Sequence, residues 1–424
     1  MELVLSTFTL GVGGSESYLL TVAEQLQHLG HDVTVHAMEV DDSADAAASR
    51  GLRVARGERH LPRSCDAVLA QDSVVSLFHA RRYPRAPQVF VCHSDYFDAQ
   101  LPPQLPGVTQ ALVVLSDRLE RRVRALALDQ EIVRLRQPVD LGRFAPRDVA
   151  REGPRRVLVM SGYAQEGRQR MIDDACAELG LECDRIGLFT AMDTSPELAM
   201  TYCDIVVGKA RVIVEAMACG RAAYVWDANG GDGWVTPDRY ELLEADNFGG
   251  QAEAGAMDGG RLRRDLSEYN PAMGVANRDL AVRYHSASGH AAELVSLFER
   301  LGACRDRSQT PLRELERVAR TVRSFETRAF HLVRENDALR ARLAQLDPGF
   351  VPGVARPGLA PRLGRRSRLR RMLALGRESV RDRLRWRVWR LRTRLTPRAA
   401  PDPAGENEGL RPDATADDPL TPRA

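Results

Sequence analysis

The chain has 424 residues, with 60 Lys+Arg against 58 Asp+Glu and a formal net charge of +2. Its length suggests about two to three domains, and its hydrophobic content of 44% suffices for sizeable cores. No apolar run reaches the roughly 18 residues of a membrane span. The seven cysteines (Cys65, Cys92, Cys176, Cys183, Cys203, Cys219, Cys304) show no C-x-x-C pair and no metal spacing. They read as reduced core thiols of a cytoplasmic protein, which excludes a disulfide framework.

The first ten residues lack a basic n-region and a cleavage site, and so read as a first strand rather than a signal peptide. Gly11-Val12-Gly13-Gly14 is the turn after it. Ser15 is expected to cap a helix from Ser17 to Leu29, whose Leu19, Leu20, Ala23, Leu26 and Leu29 recur at helical spacing. Gly30 ends that helix and Asp32–Met38 is the next strand. Strands at Ala67–Ala70, Gln88–Cys92, Ala111–Leu115 and Ile132–Leu135, with a helix over Asp117–Leu126, complete an alternating pattern over residues 1–140. Such alternation implies a parallel sheet covered on both faces. Pro138–Pro154 is a linker by composition.

A second alternation occupies residues 155–305. It runs through a strand at Val157–Met160, a helix near Met171–Leu179, a strand near Asp184–Leu188, and a helix near Glu197–Tyr202. Val207–Asp227 then reads as strand end, glycine turn, short helix, second glycine and strand. Gly208 frees the backbone to turn, Lys209 and Arg211 open the helix, Glu215 lies within it, and Gly220 closes it. A glycine turn feeding a helix N-terminus suits a phosphate. Lys209 is the only lysine of the chain. The Gly230-Gly231-Asp232-Gly233 stretch reads as a flexible polar loop, with Asn229 and Asp232 as its polar side chains. Pro237–Glu244 suits a helix, and Asp279–Leu301 is a helical stretch interrupted near Ser286–Gly289 that closes the fold. The fold class is therefore α/β, with two Rossmann-like doubly wound domains facing a cleft.

Residues 311–347 change character. Leu315, Val318, Val322, Phe325, Ala329, Leu332, Asn336, Leu339, Leu343 and Leu346 keep a strict 3-4 spacing. With Leu315 at position a, Asn336 also falls at a, a device that fixes two-stranded register. Glu335 faces Arg340, and Arg342 faces Asp347, in a parallel pair. The spacing predicts a coiled coil joining two copies through 315–346, or a single long helix packed on its own domain. Residues 348–398 are Pro-broken and Arg-rich. Arg362–Arg394, with interleaved Leu and Trp, suits an anionic membrane surface, another protein or nucleic acid. Residues 399–424 have the composition of a disordered tail.

Several of these strings resemble one family. GVGGSESYLLTVAEQLQHLGHDVTVHA looks like the opening of retaining GT-B glycosyltransferases of family 4 (glycosyl transferases group 1), with Gly13, Gly14 and Glu16 on its GGxE-like loop and Gly30, His31 and Val33 on its strand entry. VFVCHSD resembles the segment carrying the family's active-site histidine, here His93, with Asp95 two residues on. QPVDLGRF resembles its hinge, and EAMACG its carboxylate motif, with Glu215 in place. The resemblance spans about residues 1–300.

It implies metal-independent transfer of a sugar from a nucleotide-sugar donor, with retention and no cofactor, to a sugar, small-molecule or lipid-linked acceptor, at the inner face of a membrane if the Arg-rich segment anchors there. His93, Lys209 and Glu215 are the implied catalytic residues. Gly13, Gly14, Gly208, Lys209, Arg211 and Glu215 are implied to bind the donor and its phosphates, with Glu16, Arg168 and Asp232 as additional contacts. The chain departs from the family in two places. Val207 stands eight residues before Glu215 where a first glutamate is usual, and VLVMSGYAQEGRQRM replaces a G-R-L…K-G pattern, so that Arg168 or Arg170 would substitute. A non-catalytic binding scaffold and a nucleotide-sugar epimerase of the same architecture fit the same residues.

Overall fold

A computed structural model of the protein describes residues 1–40, 47–94, 97–147, 151–161, 166–187, 195–227, 230–253, 258–302, 304 and 311–346. Asp95, Asn229, the Arg362–Arg394 segment and the 399–424 tail lie outside the described residues.

The N-terminal half contains β1 (Glu2–Leu10), α1 (Gly14–His28), β2 (Asp32–Val40), β3 (Arg53–Ala55), β4 (Ala67–Ala70), α2 (Ser73–Arg82), β5 (Gln88–Cys92), β6 (Ala111–Val114), α3 (Asp117–Arg124) and β7 (Glu131–Arg134). The strands form one parallel sheet in the order β3-β2-β1-β4-β5-β6-β7. Both faces are buried, as the apolar strands require. Leu3, Leu5 and Leu69 join Leu19 and Leu26 of α1 in one core, while Val4, Val68 and Phe90 join Phe78 of α2 in another.

The second half contains β8 (Arg156–Met160), α4 (Glu166–Glu178), β9 (Glu182–Ile186), α5 (Pro196–Thr201), β10 (Ile205–Gly208), α6 (Arg211–Ala218), β11 (Ala222–Asp227) and β12 (Gly230–Trp234). Their order is β12-β11-β10-β8-β9, parallel except for the edge strand β12. Then follow α7 (Tyr240–Ala245), α8 (Gly259–Ser267), α9 (Ala272–Tyr284), α10 (Ala287–Leu301) and α11 (Leu312–Leu346).

The chain crosses between the halves twice. Val139 donates to the His285 carbonyl at 2.8 Å and Ala287 donates to the Val139 carbonyl at 3.0 Å, so the two crossings pair like strands. After the second crossing, α10 packs Ala291, Leu294, Leu297 and Phe298 into the core of the N-terminal half.

Four expectations need correction. Helix α1 starts at Gly14 with Gly13 as its N-cap, and Ser15 lies inside the first turn, donating to Glu16 Oε2 at 2.9 Å. The glycine-rich 230–234 stretch is a strand, because its glycines allow close approach: a Cβ on Gly230 would lie 2.1 Å from the Gly250 carbonyl oxygen. The helix expected from Pro237 begins at Tyr240. The closing stretch is interrupted at Ser286 as expected, with Ser286 capping the second helix by accepting from the Gly289 amide, but its first helix begins at Ala272 rather than Asp279.

Helix α11 is continuous over the heptad region. Its first part packs on its own half, with Leu312, Leu315 and Ala319 against Leu77, Ala80 and Val108. Arg81 pairs with Glu316 at 3.2 Å, and Arg323 with Asp72 at 3.1 Å. No described helix is long and apolar enough to cross a membrane.

Five histidines lie inside this fold in neutral form. Burial, chiefly, lowers His36, His285 and His290 to about 4, His93 to about 3, and His79 well below its usual value. In the unfolded chain each titrates near 6.5. The unfolded state therefore binds more protons below that pH, so stability is full above 6.5 and declines as pH falls towards 4. Each histidine contributes up to about 1.4 kcal/mol per pH unit across this window. Urea unfolding at pH 7.0 and 5.0 should show a clearly lower midpoint at pH 5.0; equal midpoints would contradict the buried neutral set.

Candidate functional site

The carboxyl ends of both sheets carry the polar residues. On the second half, β10 ends at Gly208 because a side chain has no room there: a Cβ would lie 2.6 Å from Val212 Cγ1 and 2.9 Å from the Met160 carbonyl oxygen. The turn itself is made one residue later than the sequence suggests. Ala210 has φ 49° and ψ −121°, and Val212 donates to the Lys209 carbonyl at 3.2 Å. This is the geometry of a type II′ turn with alanine where glycine is favoured. Gly220, at φ 67°, ends α6 as expected, in the left-handed form.

Lys209 Nζ lies 2.6 Å from Asp227 Oδ2 at the end of β11. Ser161 Oγ, after β8, donates to Asp227 Oδ1 at 2.6 Å, and Arg168 Nη1 of α4 donates to the Asp227 carbonyl at 3.0 Å. The Arg168 guanidinium also sits 5.3 Å from the Trp226 ring centroid. Lys209 and Arg168, separated by 41 positions in sequence, thus meet around one buried aspartate. Sequence reasoning singled out both cations but neither Asp227 nor Ser161.

Arg211 occupies the junction of the halves. Its Nε donates to Glu215 Oε1 at 2.7 Å, Nη1 to the Pro138 carbonyl at 3.2 Å, and Nη2 to Thr21 Oγ1 of α1 at 2.9 Å. Arg211 and Glu215 are both buried, and burial raises the Glu215 pKa against the opposing pull of Arg211. Val207 is fully buried in the core beneath the second sheet, so the missing glutamate's place is apolar.

Across the junction, His93 follows β5. Its ring meets Tyr18 edge-on at 4.7 Å, and the Tyr18 hydroxyl and His290 Nε2 are 2.7 Å apart. Burial keeps His93 neutral, reinforced by the charge of Arg211 and by His290. Its Nε2 is sealed from solvent with no hydrogen-bond partner among the described residues. Just after the adjacent strand β4, Gln71 is 3% exposed, and neither of its amide atoms has a partner among the described residues. Buried polar groups are costly without partners, so these two side chains are unmatched hydrogen-bonding groups at the carboxyl end of the first sheet. No sequence motif signalled Gln71, Tyr18 or His290.

The remaining expected residues sit differently. Glu16 folds back on the start of α1, and a Cβ on Gly13 would lie 2.4 Å from its Oε2; Gly14 has open space around it. A carboxylate therefore stands at this helix end. Asp232 is fully buried on β12, and its carboxylate accepts from the Ala252 and Glu253 amides at 3.3 and 3.1 Å. It ties down the following segment and presents no open oxygen to a cleft.

A second cleft, of about 420 Å³, opens beside the crossings. Several of its charges pair within it, Arg134 on Glu244 at 2.8 Å and Arg136 on Glu241 at 2.9 Å.

No protein-family model matches the sequence, and no curated protein matches it. Solved structures match in fold. Anabaena Alr3699/HepE in complex with UDP and glucose is 12% identical, with a TM-score of 0.51 over 70% of this chain and 99% of that one. The same protein in complex with UDP is 13% identical, with a TM-score of 0.51 over 71% of this chain and all of that one. A glycosyltransferase from Rickettsia africae ESF-5 aligns at 12% identity over 71% of this chain and 98% of that one, with a TM-score of 0.48. The chain has a mixed α/β fold with two parallel-sheet halves, the GT-B arrangement.

The alanine in the type II′ turn carries a cost of about 1–3 kcal/mol. Ala210→Gly relieves it at a smaller entropic cost, and is expected to raise the unfolding free energy by about 1 kcal/mol. A urea midpoint that stays level or drops would disprove the strain.

Proposed function

We propose that the protein is a metal-independent glycosyltransferase that moves a sugar from a nucleotide-sugar donor to an acceptor on the N-terminal half, with retention of configuration. The observation that supports this most is the meeting at Arg211. One side chain ties the turn that carries Lys209 to the helix that carries Tyr18, and its charge acts on His93. The structural likeness to a protein solved with UDP and glucose agrees with it.

In this reading Lys209 and Arg168 hold the donor diphosphate. They stabilise the charge that develops on the leaving group. Asp227 keeps the two cations together at the ends of β8, β10 and β11. Glu215 accepts hydrogen bonds from the ribose hydroxyls, with Arg211 holding its carboxylate in place. Gly13 and Gly14 let the sugar approach the backbone, and Glu16 accepts from its hydroxyls rather than touching phosphate. His93, neutral throughout the physiological range, hydrogen-bonds the transferred sugar. Gln71 orients hydroxyls beside it.

Calorimetric titration with UDP-, GDP- and dTDP-sugars tests the donor assignment. One of them should bind, and Lys209→Ala should weaken it by about 10- to 150-fold, the loss of one charge-assisted contact worth about 1.5–3 kcal/mol. Unchanged affinity would remove Lys209 from the site, and absence of nucleotide binding would end the proposal.

His93→Ala should lower turnover by about 10-fold or more, with a smaller effect on donor affinity, as expected for a contact made chiefly in the transition state. In the wild type, no activity loss assignable to His93 protonation should appear above about pH 4, since its pKa lies near 3. Proton NMR of the product reads the anomer, and an inverted linkage would overturn the retaining assignment.

A further inference from the structure

Helix α11 has two faces with different occupants. In the heptad frame set by Leu315 at a, the residues that touch the N-terminal half beyond Leu315 itself fall chiefly at e and b. Leu312 and Ala319 pack on α2, Glu316 pairs with Arg81, and Arg323 pairs with Asp72. Arg323 also lies 4.8 Å from the Phe97 ring centroid. Glu326 accepts from the Asp98 amide at 2.9 Å, and the Phe330 and Phe97 rings lie 5.5 Å apart.

The a and d positions form a separate stripe. Beyond Leu315 it is open: Val318 is 53% exposed, Val322 44%, Phe325 65%, Leu332 52%, Leu339 60% and Leu343 45%. An apolar stripe this long and this regular, left in water, marks an interface.

We propose that this stripe pairs in parallel with the same stripe of a second copy of the chain, making a two-stranded coiled coil and a homodimer. The charge pattern specifies that occupant. In the first part of the helix, e positions are taken by the chain's own domain, and the facing g residues (Glu314, Thr321, Arg328) have no complementary e partner at Ala319, Glu326 or Val333. Complementary pairing begins past the docked segment, where Glu335 at g faces Arg340 at e of the partner. Asn336 at an a position, exposed in the single chain, is the residue type that selects two strands in register. A heterologous protein or a lipid surface would have no reason to match the helix's own g-to-e order.

The inference does not depend on the transfer reaction, and its test reads assembly alone. Sedimentation equilibrium of the full chain should give twice the 47.0 kDa chain mass at micromolar concentration. A monomer would overturn the proposal and leave the stripe to another occupant. Leu332→Glu combined with Leu339→Glu should give a monomer with the wild type's circular-dichroism spectrum outside the coiled coil's share; a persistent dimer would place the interface elsewhere. Glu335→Arg should weaken the dimer at least several-fold, and adding Arg340→Glu should restore it. Failure of that restoration would overturn the parallel register, whatever the leucine variants do.

Discussion

Arg211 is the contact on which the arrangement of the cleft depends. A guanidinium buried at a junction needs a partner for each donor direction, and this one finds them in three parts of the chain: its own helix, the first crossing and α1. A planar fork can bridge such partners where a lysine could not. Removing any one partner would leave buried charge or a buried donor unmatched, so the partners hold one another in position. The short helix α6, the strained turn before it and the helix bearing Tyr18 are thereby set at fixed distances.

Around this bolt the carboxyl ends of the two sheets have opposite characters. The second half gathers Lys209 and Arg168 about Asp227, a cluster with a surplus of positive charge. The N-terminal half presents neutral polar groups in a dry setting, His93 and Gln71, with a carboxylate at the start of α1.

Much of the fold was readable in the sequence because parallel strands and their helices have local signatures. The apolar runs at 205–207 and 222–226, with Gly208 and Gly220 between, located β10, α6 and β11 to within a residue or two. The site was readable only as single residues. Arg211 and Thr21 are 190 positions apart, and Tyr18 and His290 are 272 apart. No local pattern reports such pairings. Glycines misled in one place: around Asp232 they permit close packing of an edge strand, and composition alone cannot separate that use from a flexible loop. The heptads of α11 were evident, but its docking face is built from Glu316, Arg323 and Glu326, which in sequence look like solvated residues.

The paired crossings have a mechanical meaning. Val139 hydrogen-bonds to both His285 and Ala287, which makes the two connections a ribbon rather than two separate cords. His285 adds a rivet at 2.7 Å to the Gln137 carbonyl. A ribbon flexes readily across its flat face and resists bending in its plane, so it behaves as a leaf spring with one soft direction. Pro138, which supplies the carbonyl for Arg211, lies on that spring. Arg211 is thus anchored on the ribbon itself, at the line where the two halves join.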